Sequence, residues 1–130
     1  MTEEKTKKLL NRFSFFHPEK PITEGLMVFG FEHGDGWFDI IWELCEKIEE
    51  DLKQTTKPIG SEIEDFEVIQ VKEKFGTLRF YTNWGTNKIY NFIEQAEIKS
   101  AKTCEVCGKP GKLRRGGWLK TLCDECQKNS

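Results

Sequence analysis

The sequence predicts an α+β protein: a small antiparallel sheet of at least three strands packed with three helices over residues 1–101, followed by a cysteine-rich module over residues 102–130. Three observations carry that reading. Apolar residues recur at helical spacing in three stretches, the period falls to two across residues 66–83, and four of the five cysteines form two C-x2-C pairs near the end of the chain.

Taken in order, Leu9, Leu10, Phe13 and Phe16 align on one helical face, and Glu3 and Glu4 sit in the first turn, where the helix dipole favours them. The spacing predicts a helix from about Thr2 to Phe16, stopped by His17-Pro18. An extended connection then leads to the apolar run Gly25–Phe31, bounded by glycines and read as a buried strand. Gly34-Asp35-Gly36 makes a turn in which Asp35 or Gly36 caps the next helix. That helix carries Trp37, Ile40, Ile41, Leu44, Cys45, Ile48 and Leu52 on one stripe and a solvated charged face opposite. It ends before Thr55-Thr56-Lys57-Pro58. Cys45 lies on the apolar stripe and reads as a core residue.

Residues 66–83 read as a hairpin about Lys74-Phe75-Gly76-Thr77. A three-residue loop would set Val71 against Arg79, whereas a four-residue loop pairs Glu73 with Leu78, Val71 with Phe80 and Ile69 with Thr82, which keeps one face apolar. The other face then carries Gln70, Lys72, Arg79 and Tyr81, with Lys72 directly opposite Arg79. Like charges so placed repel. Either an acidic side chain of the body or a phosphate-bearing ligand must offset them, Tyr81 and Trp84 supplying stacking surface in the second case. The last helix starts after Thr86, aligns Ile89, Phe92, Ile93, Ala96 and Ser100, and runs with little break into Cys104.

Composition narrows the class. The chain has 130 residues, 37% apolar and 12% aromatic, with ten Phe and four Trp, too many bulky residues for disorder. No apolar run approaches the ~18 residues of a membrane span, and the charged start is unlike a secretory signal, so a cytosolic protein is expected. The net charge of −2 conceals an asymmetry: residues 99–130 hold 8 basic and 3 acidic side chains, residues 1–98 hold 12 and 19. A basic end on an acidic body favours a phosphate-bearing or acidic partner.

Cys104, Cys107, Cys123 and Cys126 form C-x2-C-x15-C-x2-C, the spacing at which four thiolates surround one tetrahedral ion, with zinc the expected metal and iron its chemical rival. Four thiolates leave no vacant position, so the zinc is expected to be structural. Around it, Lys109, Lys112, Arg114, Arg115 and Lys120, with Trp118, are suited to grip phosphates and stack a base; equally, the cations offset the charge of the metal–thiolate cluster and Trp118 roofs the module. His33, Asp35 and Asp39, with Glu32, concentrate acid–base groups in one loop and define a third option, a small hydrolase. The same residues also serve as turn and cap. No P-loop, nucleophile elbow, HExxH or dinucleotide fingerprint occurs.

The stretch from Cys104 through Cys107, Gly108, Pro110 and Arg114 to Leu122, Cys123 and Cys126 resembles the treble-clef zinc finger of the DksA/TraR type over about a fifth of the chain. The resemblance implies a knuckle, a short hairpin and a helix opened by the second cysteine pair; the long coiled coil of that family is absent, so its polymerase function does not transfer. The whole chain also resembles a family of small uncharacterised bacteriophage- and prophage-encoded proteins, in Phe31–Phe38, Val71–Tyr81 and Cys104–Cys126. That resemblance implies a phage setting in the host cytosol and no established activity. The leading expectation is a non-catalytic binding protein that engages a host macromolecule, nucleic acid or protein, through the zinc module. The alternative is a counter-defence protein that sequesters a nucleotide-like signal on Gln70, Lys72, Arg79 and Tyr81.

Overall fold

The computed structural model describes residues 1–54 and 65–129. Helix α1 spans Glu3–Arg12, strand β1 Phe31–Glu32, helix α2 Phe38–Gln54, strands β2 and β3 Val68–Lys74 and Thr77–Thr82, and helix α3 Asn87–Ser100. The last segment adds strands β4, Lys112–Gly116, and β5, Trp118–Leu122, and helix α4, Asp124–Lys128. The α+β class holds, and no helix among the described residues is long and apolar enough to cross a membrane.

Helix α1 is capped by Thr2, whose hydroxyl accepts the Lys5 N–H at 3.4 Å, and it stops at Arg12, four residues before the expected end. The reason is aromatic burial. In a continuous helix Phe15 would point away from the face shared by Phe13 and Phe16, whereas the extended backbone at Phe13 lets all three rings enter the core. Phe13 stacks on Phe15 at 5.6 Å and Phe15 meets Phe16 edge to face at 5.3 Å, and Phe15 O accepts the Val68 N–H at 2.9 Å.

The run Gly25–Phe31 is not a strand. Met27–Phe29 forms a 3-10 turn closed by Gly30 at φ +73°, leaving Val28 and Phe29 exposed while Met27 and Phe31 are buried. Only Phe31–Glu32 is extended, and it pairs in parallel with β2, Phe31 opposite Val71 and Glu32 opposite Lys72. The sheet, ordered β1-β2-β3, is therefore mixed rather than antiparallel. A continuous apolar run carries no period that separates a buried strand from a turn with two anchors four residues apart.

The hairpin register is the expected one near its turn: Val71 pairs with Phe80, Lys72 with Arg79 and Glu73 with Leu78. Lys74 also pairs with Thr77, so Phe75 and Gly76 alone make the turn, both at positive φ (55° and 87°), as two-residue hairpins that match strand twist require. At the far end the expected pair of Ile69 with Thr82 is replaced by Val68 with Thr82, because a bulge inserts Ile69 as an extra residue. The bulge lets Val68 and Val71, three apart, both face the core.

Helix α2 buries Ile40, Ile41, Leu44, Cys45, Ile48 and Leu52, as its stripe requires, and burial pushes the Cys45 thiol well up. Trp37, fully buried, precedes it in the turn Asp35–Trp37. Asp35 does not cap α2; its carboxylate accepts the Thr2 N–H at 2.7 Å at the start of α1. Helix α3 begins as read, Thr86 accepting the Ile89 N–H at 3.0 Å and donating to Asp51 of α2 at 2.7 Å. At its other end buried Ser100 accepts the Leu78 N–H of β3 at 2.9 Å, which fastens the helix to the sheet edge just before the cysteine module.

Candidate metal centre and its docking

Four sulfurs converge after α3. Cys104 to Gly108 curl into a knuckle in which Cys104 N–H bonds Lys109 O at 2.8 Å and Gly108 N–H bonds Cys104 O at 2.9 Å; Gly108 adopts φ +82°, a conformation open to glycine. Strands β4 and β5 form a hairpin, and Cys123 then caps α4, its Sγ accepting the Cys126 N–H at 3.4 Å. The Sγ atoms of Cys104, Cys107, Cys123 and Cys126 all lie within 4.8 Å of one another, Cys107 and Cys123 at 3.6 Å. A tetrahedral ion with metal–sulfur bonds of about 2.3 Å demands sulfur–sulfur edges of about 3.8 Å, far longer than the ~2.05 Å of a disulfide. The set is compatible with a bound metal ion.

Its electrostatics suit a cation. At Cys104, burial opposes the thiolate, but the N–H groups of Cys123, Cys107 and Val106 outweigh it and bring the thiol down to about 6. Cys126 is pushed up to about 12, above all by the Cys123 side chain. Sulfurs this close do not all ionise unless a positive ion stands between them.

Of the basic residues read from the sequence, Arg114 is bound within the module. Its Nε and Nη2 donate to Leu122 O at 3.1 and 3.0 Å and its Nη2 to Asp124 Oδ1 at 2.7 Å, which holds the Asp124 carboxyl below its ordinary range. It ties the hairpin to the start of α4. Lys109 reaches Glu125 at 3.7 Å on the exposed surface, a pair of little energetic weight. Lys112, Arg115 and Lys120 make no ion pair among the described residues, and Trp118 is 75% exposed, so it roofs nothing. Register places Lys112, Arg114, Trp118 and Lys120 on one face of the hairpin and Arg115 on the other, with Leu113, Leu119 and Thr121.

The face of the β2–β3 hairpin is more self-contained. Gln70 donates to Glu32 at 3.2 Å, Lys72 lies beside Glu32 in the parallel register, and Arg79 donates to Thr77 at 2.9 Å with Glu97 of α3 close enough to feel its charge. Tyr81 is exposed. Body carboxylates thus stand beside the facing cations Lys72 and Arg79.

Sequence reasoning missed the residues that seat the module. Glu105, between the first two cysteines, is buried: its carboxylate accepts the Gly34 N–H at 2.9 Å, its carbonyl accepts the Gly36 N–H at 2.7 Å, and its own N–H bonds Thr121 O at 2.9 Å. Burial, the largest effect on its carboxyl, raises its pKa. Trp37 Nε1 donates to Thr103 O at 2.9 Å, and Thr121 Oγ1 to Gly76 O at 2.6 Å. The pattern Gly34-Asp35-Gly36 was a turn signal; what it marks in addition is close backbone approach.

In the same loop His33 is buried between Phe31 and Trp37, with Nδ1 against Gly34 O at 2.7 Å. Among the described residues no hydrogen bond joins it to Asp35 or to the exposed Asp39. Burial lowers its pKa from the ordinary 6.5 to about 4. Above pH 6.5 the ring is neutral in folded and unfolded chains alike. Between 6.5 and 4 only the unfolded chain takes the proton, so stability is lost as pH falls through that window, by about 3 kcal/mol in full and about 2 at pH 5. His33→Phe is expected to lose that much less stability than the parent between pH 7 and pH 5 in denaturant melts. Equal losses in both proteins would show that the ring protonates freely in the fold.

No protein-family model matches this chain, and neither a curated protein nor a solved structure matches it. Fold and site together define an α+β chain whose last thirty residues carry a four-cysteine cluster with metal-binding geometry.

Proposed function

We propose that residues 102–129 form a structural zinc finger of treble-clef type, and that the chain is a non-catalytic binding protein of phage type that engages host nucleic acid through the finger. The order knuckle, hairpin, helix supports the finger assignment. Zinc is preferred over iron because nothing between the cysteine pairs argues for electron transfer. The observation that carries the function is the solvent face of β4–β5, where Lys120 stands two residues from exposed Trp118 and Lys112 lies further along the same face. Neither lysine makes an ion pair among the described residues, although Asp124 feels the charge of Lys112 and Glu105 that of Lys120. Exposed cations on the same face as an aromatic ring match phosphates next to a base. On the β2–β3 hairpin Gln70 is engaged by Glu32 and Arg79 by Thr77, which supports ligand sequestration there less well.

Metal analysis of the freshly purified protein is expected to give one zinc per chain. Fluorescence anisotropy with labelled oligonucleotides is expected to show binding that weakens steeply with salt, and the double change Lys112→Ala/Lys120→Ala should flatten the dependence of log K on log salt by up to about 2. Binding indifferent to salt, or a host protein that co-purifies while oligonucleotides fail to bind, would overturn the nucleic-acid reading.

A further inference from the structure

A cleft of about 420 Å³ lies between the turn of the β2–β3 hairpin and that of the finger hairpin, lined by Lys72, Glu73, Lys74, Phe75, Gly117, Trp118 and Leu119. We infer that this cleft takes an unstacked base of a single-stranded nucleic acid between Phe75 and Trp118, with Lys72 and Lys74 on the adjoining phosphates. The inference rests on the reading of the finger as a nucleic-acid binder and deepens it, because half of the site comes from the body.

Both aromatic walls are exposed, Phe75 by 64% and Trp118 by 75%, so neither contributes to a core. Phe75 is also the one non-glycine residue at positive φ among the described residues (55°), in a turn position that asparagine, aspartate or glycine fills without strain. A bulky ring is held there against local preference and presented to solvent. Lys74 Nζ lies 5.5 Å from the Phe75 ring centre, and neither Lys72 nor Lys74 makes an ion pair among the described residues; Glu32, which stands beside Lys72 in the parallel register, is held by Gln70. Glu73, the acid in the lining, has its carboxylate turned to the Gly76 N–H at 2.7 Å. The two walls are held in register: Thr121 Oγ1 bonds Gly76 O, and Leu113 packs on Gly76 so closely that a β-carbon there would lie 2.7 Å from Leu113 Cδ1. Ring faces recognise base faces, which a duplex hides in its stack and a single strand exposes.

The zinc-loaded full-length protein is titrated by anisotropy with a labelled 12-mer as single-stranded DNA, as single-stranded RNA and as duplex DNA. The single strands are expected to bind at least about tenfold tighter than the duplex and to quench Trp118 fluorescence. Phe75→Asn and Trp118→Ala should each weaken single-strand binding by about tenfold or more, and Phe75→Asn should leave duplex binding unchanged while it keeps or raises the melting temperature. The DNA and RNA arms report which sugar is preferred. Single-strand affinity that survives both substitutions but falls with Lys112→Ala/Lys120→Ala overturns the cleft and leaves the finger reading intact. Absence of binding to all three probes overturns both, and displacement of the single strand by an acidic peptide at equal concentration reassigns the cleft to a protein.

Discussion

Cys104→Ser, or exhaustive chelation of the parent protein, is expected to unfold residues 102–129 and leave the helical body folded. The apolar cluster of this segment consists of Cys104, Leu122 and Cys123 with Cys126 packed against them, so three of its four members belong to the candidate metal site. The other buried residues of the described segment, Glu105 and Thr121, are polar. On the zinc-finger reading, metal binding would provide most of the folding free energy of the module, on the order of 10 kcal/mol or more by comparison with zinc-finger peptides. The body holds its own core, from Leu9 and Phe13 through the α2 stripe to Ala96. Hydrogen exchange should report the outcome residue by residue. Amides of Cys104, Glu105 and Gly108, protected by bonds of 2.8–2.9 Å, become fast, while those of α2 stay slow. The body should also weaken, because Trp37 Nε1 loses its acceptor and a buried donor left unpaired costs about 1–3 kcal/mol. Protection of Cys104 and Gly108 that persists in the metal-free protein would refute the assignment.

Gly36→Ala is expected to be the most damaging single substitution outside the cysteines. A β-carbon at Gly36 would stand 2.6 Å from Gly108 N and 2.7 Å from the Glu105 carbonyl carbon, and closer still to the Cys104 carbonyl oxygen, all of them backbone atoms of the knuckle. Backbone on both sides cannot swing away as a side chain could. Either the knuckle lifts off and forfeits the Gly36–Glu105 and Gly34–Glu105 bonds, or the metal geometry distorts. A loss of about 3 kcal/mol or more in denaturant unfolding is expected, together with weaker metal retention against a competing chelator. Gly116→Ala is the matched control, since a β-carbon there meets nothing within 4 Å, and it should stay within about 0.5 kcal/mol of the parent. Equal behaviour of the two variants would mean that the finger is not seated on the body through Gly36.

Elements with a strong period were legible. The α2 stripe, the Thr86 cap of α3 and the Val71–Phe80 register follow from repeats of 3.6 and 2 that water enforces by itself. The exit of Phe13 from α1, the 3-10 turn in place of a strand at Met27 and the bulge at Ile69 carried no such signal, because each is settled by which side chains a distant element leaves room for. In the site the division is similar. Arg114 reads as a surface cation in sequence and is a clamp on Leu122 and Asp124 in the fold.

What the chain states on its own is the ligand set: four sulfurs at spacings that let each pair curl toward one point, a local property of two short loops. Where that point sits was decided by tertiary structure alone. Glu105 and Gly36 are 69 residues apart, and only packing of the knuckle against the turn before α2 brings their backbones to a 2.7 Å bond, an approach that needs a missing β-carbon no periodicity can announce.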